Sequence, residues 1–107
     1  MDYRTHVNQL QQGYAQFKPV NGEIDPEVVL DETNGRYQLL YVGWENGKRV
    51  FTPIIHVDII GDKIWIQCDN TEEGITDELI DMGVSKKQIV LAFRPPEARD
   101  YYGFAVA

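Results

Sequence analysis

The sequence predicts an α+β fold, with an N-terminal helix and a second helix packed on one face of a four-stranded antiparallel meander. Apolar residues recur at steps of three or four from Tyr3 to Phe17, the spacing of one helical face. Three turn signals, Asn34-Gly35, Asn46-Gly47 and Gly61-Asp62, divide a long β-branched and aromatic stretch into strand-length pieces. A helix-capping pattern then opens at Asn70 and leads into Ile75, Leu79 and Met82.

Tyr3, Val7, Leu10, Tyr14 and Phe17 form the stripe of the first helix. Gly13 interrupts it, lowering helix propensity by about 1 kcal/mol relative to Ala, and invites fraying or a break. Pro19 ends the helix by Lys18. The strands are assigned to about Glu27–Thr33, Arg36–Glu45, Lys48–Ile60 and Lys63–Asp69. Asn-Gly pairs tolerate the positive φ of a two-residue hairpin turn, which is why the first two turns are read that way.

Asn70 as N-cap, with Glu73 placed for a reciprocal contact, starts a second helix of about three turns that Gly83 stops. Ile89–Phe93 can add a short fifth strand before Pro95-Pro96. The apolar end, Tyr102 to Ala107, is expected to dock on the domain or a partner. No repeat, flexible linker or composition break divides the chain, so residues 1–107 are read as one domain.

Two-residue turns fix a register. Val42 then lies opposite Phe51, Val57 opposite Ile66 and Ile59 opposite Ile64, on one core face with Val29, Leu40, Ile55 and Cys68. The other face carries Leu30, Tyr37, Leu39, Tyr41, Thr52, Ile54, His56, Asp58, Trp65 and Gln67. Pro53 cannot donate a ladder hydrogen bond, so the third strand should bend or bulge near it, and the register depends on how it does so.

Seventeen acidic side chains against ten Lys plus Arg give a net charge of -7, an unfavourable field for phosphate contacts with DNA. A basic protein partner would be favoured by the same charge. Cys68 is the single cysteine, which excludes an intrachain disulfide and points to a reducing, cytoplasmic setting. No apolar run approaches the roughly 20 residues needed to span a bilayer.

His56 and Asp58 stand two apart on a strand and so share a face, where they could orient a proton or hold a cation. No positioned nucleophile or further metal ligand accompanies them, so packing, hydrogen bonding or interface use is the ordinary reading. The carboxylates of Glu73, Asp77 and Asp81 fall on one helical stripe but lack the alternating pattern of a calcium loop. No phosphate loop, metal finger or nucleophile elbow is present, and no catalytic residue, cofactor or metal is assigned.

Tyr41-Val42-Gly43-Trp44, Ile55-His56-Val57-Asp58-Ile59 and Lys63-Ile64-Trp65-Ile66-Gln67 resemble the XisI family of cyanobacterial proteins. The likeness continues through Asp69-Asn70-Thr71-Glu72-Glu73-Gly74-Ile75, Glu78-Leu79, Pro95-Pro96 and Gly103-Phe104-Ala105-Val106-Ala107. The family is named for control of fdxN element excision, a DNA rearrangement in heterocyst-forming cyanobacteria. The resemblance implies an α+β fold and action with an XisH-like protein and a separate recombinase.

The expected function is therefore a non-enzymatic accessory factor that controls DNA element excision by protein–protein binding. Tyr41, His56, Asp58 and Trp65 are the candidate interface, with Tyr102 and Phe104 beside them. Charge reversal at Asp58 with truncation of Trp65 is expected to weaken partner capture without unfolding the chain. Direct DNA binding, and an enzyme using His56 and Asp58 with an unidentified ligand, are the alternatives; self-association through an open sheet face or edge is a further option.

Overall fold

The structure, a computed structural model, describes residues 3–17, 23–100 and 103–107. Helix α1 spans Tyr3–Ala15 and runs unbroken through Gly13. Strands β1 (Glu23–Asp31), β2 (Arg36–Glu45), β3 (Lys48–Ile60) and β4 (Lys63–Asp69) form an antiparallel meander. Helix α2 (Thr76–Asp81) and a 3-10 turn at Lys86–Gln88 lead to β5 (Ile89–Leu91), which pairs with β4 in parallel. The sheet order is β1-β2-β3-β4-β5.

The turn chemistry works as its residue types dictate. Asn46 and Gly47 both take positive φ between the paired ends Glu45 and Lys48. At the first turn, Asp31 pairs with Arg36, so four residues connect the strands instead of two. The reason is local: both Asp31 carboxylate oxygens accept from Asn34, through its backbone N–H and its side-chain amide. These bonds, the side-chain one foremost, hold the Asp31 carboxyl below its usual pKa. β1 accordingly starts at Glu23, earlier than the predicted Glu27, with Pro26 on the edge strand where its missing N–H is tolerated.

Two bulges decide the faces. Leu39 pairs with Ile55 but Leu40 with Pro53, leaving Ile54 as an extra residue beside the proline. His56 pairs with Cys68 but Val57 with Ile66, leaving Gln67 extra on β4. The predicted pairs Val42–Phe51, Val57–Ile66 and Ile59–Ile64 all form. The single core face predicted from them does not. Beyond the β3 bulge the core side is taken over by Tyr37 and Leu39, packed with Ile55, Val57, Ile64 and Ile66, all buried. Ile54 also packs against this core. Val42, Phe51, Val29, Leu40 and Cys68 fall on the opposite, outer face, because one inserted residue exchanges the sides of every residue that follows.

Val7 and Leu10 of α1, Ile75 at the entry to α2 and Leu79 within it close the core side. α2 is shorter than predicted, less than two turns, and Asn70 does not cap it. The Asp69 side chain organises this segment instead. Its Oδ1 accepts from the Thr71 N–H and hydroxyl, and its Oδ2 from the Ile75 N–H at 2.8 Å, which holds residues 70–75 as a loop. The Asn70 amide is turned to the Pro53 carbonyl. Gly83, at positive φ, ends α2 as predicted, with its N–H on the Ile80 carbonyl and the Val84 N–H on Leu79. The C-terminal segment docks: Ala105 bridges Val90, and Phe104 packs on the core beneath the Lys86 ammonium.

Candidate functional site

The helices cover one face of the sheet, and the outer face carries the predicted pair. Asp58 is only 8% exposed, an uncommon position for a carboxylate unless donors surround it. Three donors do, drawn from three adjacent strands. His56 Nε2 lies 2.9 Å from Asp58 Oδ1, Gln67 Nε2 donates to Oδ2 at 3.1 Å, and Arg36 Nε stands 3.5 Å from Oδ1. With the carboxylate accepting, His56 carries its proton on Nε2.

This arrangement follows from the register. Arg36 is the β2 partner of Asp58, and His56 shares its face by strand alternation. Gln67 is the extra residue of the β4 bulge, re-aimed toward Asp58 by that insertion. Chemically the site is a clamp across β2, β3 and β4. It holds an imidazole in one orientation, and the hydrogen bonds that build it come from an imidazole, an amide and a guanidinium, not from a hydroxyl or thiol. Cys68, the residue across from His56, donates weakly to the Pro53 carbonyl at 3.7 Å. Burial, and then the Asp69 charge, push its thiol pKa up, which keeps it protonated and a poor nucleophile. Among the described residues no group of three or more His, Cys, Asp or Glu is placed to hold a metal.

The remaining interface candidates separate. Trp65 pairs with Asp58 and lies on the outer face, where the Arg99 guanidinium stacks over its ring at 5.5 Å. Arg99 also donates to the carbonyls of Arg94, Ala92 and Val106, so it ties the C-terminal segment to Trp65. Tyr41 belongs by alternation to the side of Leu39 and Tyr37, away from His56, Asp58 and Trp65. Phe104 is engaged with the core, and Tyr102 lies outside the described residues. Charge reversal at Asp58 would place a cation among three donors, so the variant is expected to lose stability as well as any partner contact.

Sequence reasoning missed the most open part of this face. Phe51 is 65% and Trp44 52% exposed, and Val42 and Leu40 lie on β2 with Trp44, next to the edge strand. Arg49 stacks on Trp44 at 5.4 Å. On β1, Glu23, Asp25 and Glu27 pair with Trp44, Val42 and Leu40, placing a row of carboxylates beside the apolar patch. Pro53 was the signal for this exchange of faces, since it marked the bulge.

The family model described as XisI protein matches residues 1–106. A solved XisI-like protein from Anabaena variabilis ATCC 29413 is 33% identical, with a TM-score of 0.91 over 98% of this chain and 96% of that one. A second structure, of the fdxN element excision controlling factor XisI from the same organism, is 30% identical with a TM-score of 0.83 over 98% and 96% of the two chains. Among curated proteins no relative matches. The family match over nearly every residue, together with the likeness to both solved structures over 98% of the chain, places this chain in the XisI family.

Proposed function

We propose that this chain is an accessory factor in the excision of a DNA element and that it acts by binding a partner protein, with no turnover of its own. The observation that carries the reading is the outer sheet face, where Phe51 and Trp44 stand more than half exposed on the side opposite α1 and α2. Exposed aromatic residues around an apolar centre are the composition of interface cores. The row Glu23, Asp25 and Glu27 beside that centre, with the net charge of -7, favours a partner whose own rim is basic. An XisH-like protein is the partner proposed, alone or within a recombinase complex. The relative named as an fdxN element excision controlling factor supports this setting.

His56 and Asp58 stiffen the face and orient it, while Phe51, Val42 and Trp44 make the contact, with Trp65 under Arg99 at the margin. The protein works in the cytoplasm, a compartment suited to the free Cys68 thiol. Among the described residues no helix is long and apolar enough to cross a membrane.

Titration of an XisH-like protein with wild type and Phe51→Ser tests the proposal. Phe51 is exposed, so the variant keeps its fold, and the affinity should drop about tenfold, the scale of one interface anchor. Unchanged affinity in both Phe51→Ser and Val42→Ser sinks it. Salt-dependent binding of element-end DNA by the chain alone would favour the DNA-binding alternative instead.

A further inference from the structure

Among the described residues nothing in the fold calls for a glycine at position 13. Seven of the described glycines take positive φ, but Gly13 is helical, and a Cβ built on it meets nothing within 4 Å. A glycine inside a helix lowers its stability relative to alanine, so the open space beside Gly13 has a cost in folding that no contact among the described residues repays. That space is a groove between the end of α1 and α2, with a volume of about 480 Å³. Leu10, Phe17 and Met82 supply its apolar surface, Phe17 being 74% exposed, and Glu73 and Glu78 its charge. Among the described residues no lysine or arginine lines it.

We infer that this groove receives an arginine side chain carried by a segment of a partner protein. The size is that of a side-chain or small-ligand site, too small for a whole helix. An arginine has the matching shape: an apolar stem to lie along Leu10 and Met82, and a planar cationic head for a carboxylate. Glu78 Oε1 already accepts the Tyr14 hydroxyl at 2.6 Å, which fixes the carboxylate at the wall of the groove. Met82 is an adaptable contact for an irregular guest surface. Gly13 lines the groove without a side chain, so a larger residue there would extend into the open space.

The groove lies on the helix side of the sheet, away from Phe51, and the inference stands independently of the proposed function. The test is an NMR titration of the whole chain with a short peptide holding one arginine between leucines. The expected result is shift changes centred on Gly13, Tyr14, Glu78 and Met82, lost in Gly13→Leu, and lost again when citrulline, isosteric but neutral, replaces the arginine. Gly13→Leu keeps the charge of the surface, so diffuse attraction to an acidic protein would survive it. Equal shifts in wild type and Gly13→Leu overturn the inference, as do equal binding of the citrulline peptide, shifts centred on Phe51, or no shifts at all. Spermidine displacing the peptide from Gly13 without leucine contacts would also overturn it, in favour of a small organic cation. Phe51→Ser, which tests the sheet-face proposal, leaves this titration unchanged.

Discussion

The Tyr14 hydroxyl donates to the Glu78 carboxylate at 2.6 Å, joining the end of α1 to α2 across 64 residues of chain. Neither helix is long enough to be stable alone, at 13 and 6 residues, so such tertiary bonds fix where they lie.

Tyr14 gives the molecule a pH-dependent seam. Burial foremost, then the hydrogen bond to Glu78 and its charge, raise the phenol from 10.0 to about 12. A pKa raised on folding contributes stability that is complete below the unfolded value and is lost as pH rises through the folded one. Unfolding free energy should therefore fall between pH 10 and about 12 more steeply in wild type than in Tyr14→Phe. Parallel denaturation curves for the two proteins across that window would refute the seam.

Gln11 is fully buried on α1, and among the described residues neither its side-chain nitrogen nor its oxygen has a hydrogen-bond partner. An unmet buried amide costs about 1–3 kcal/mol. Gln11→Met, close in volume, should raise the urea midpoint with an unchanged slope. A lower midpoint would mean that the amide is satisfied in solution.

Two glycine substitutions should move stability in opposite directions. A Cβ at Gly43 would collide with the Glu23 carbonyl oxygen and lie 2.8 Å from Ile24 Cα, so Gly43→Ala should cost about 1–3 kcal/mol by forcing β1 and β2 apart. Gly13→Ala meets open space inside a helix and should add about 0.5–1 kcal/mol. Thermal melts of the two variants beside wild type decide both.

Asp69 is expected to be the strongest single determinant of the loop before α2. Asp69→Ala removes the acceptor for the Thr71 and Ile75 N–H groups and should cost about 1–3 kcal/mol, whereas Asn70→Ala should cost less because Asn70 only meets the Pro53 carbonyl and Cys68 from an exposed position. Amide exchange at Ile75 is the direct readout. Protection that persists in Asp69→Ala would show that packing of Ile75, not the carboxylate, holds the loop.

The sequence by itself determined the element order and most of the pairing. Asn46-Gly47 and Gly61-Asp62 set β2, β3 and β4 to their observed bounds, and hence Val42 against Phe51 and Val57 against Ile66, because hairpin turns are local chemistry. The His56 and Asp58 partnership was also legible, since residues two apart on a strand share a face whatever surrounds them.

Which face is buried was decided only in three dimensions. An extra residue at Ile54, and another at Gln67, exchange inside for outside without altering the hydrophobic pattern, and Pro53 announces a bulge but not its residue count. So Tyr37 and Leu39 became core, while Val42 and Phe51 were left on the open face. The same holds for α2, where Asp69 outcompeted Asn70 for the backbone donors, and for Arg99 over Trp65, a contact between residues 34 positions apart. Local residue chemistry chooses turns and strands; which side of a strand meets a helix is settled by the packing of α1 and α2 against the finished sheet.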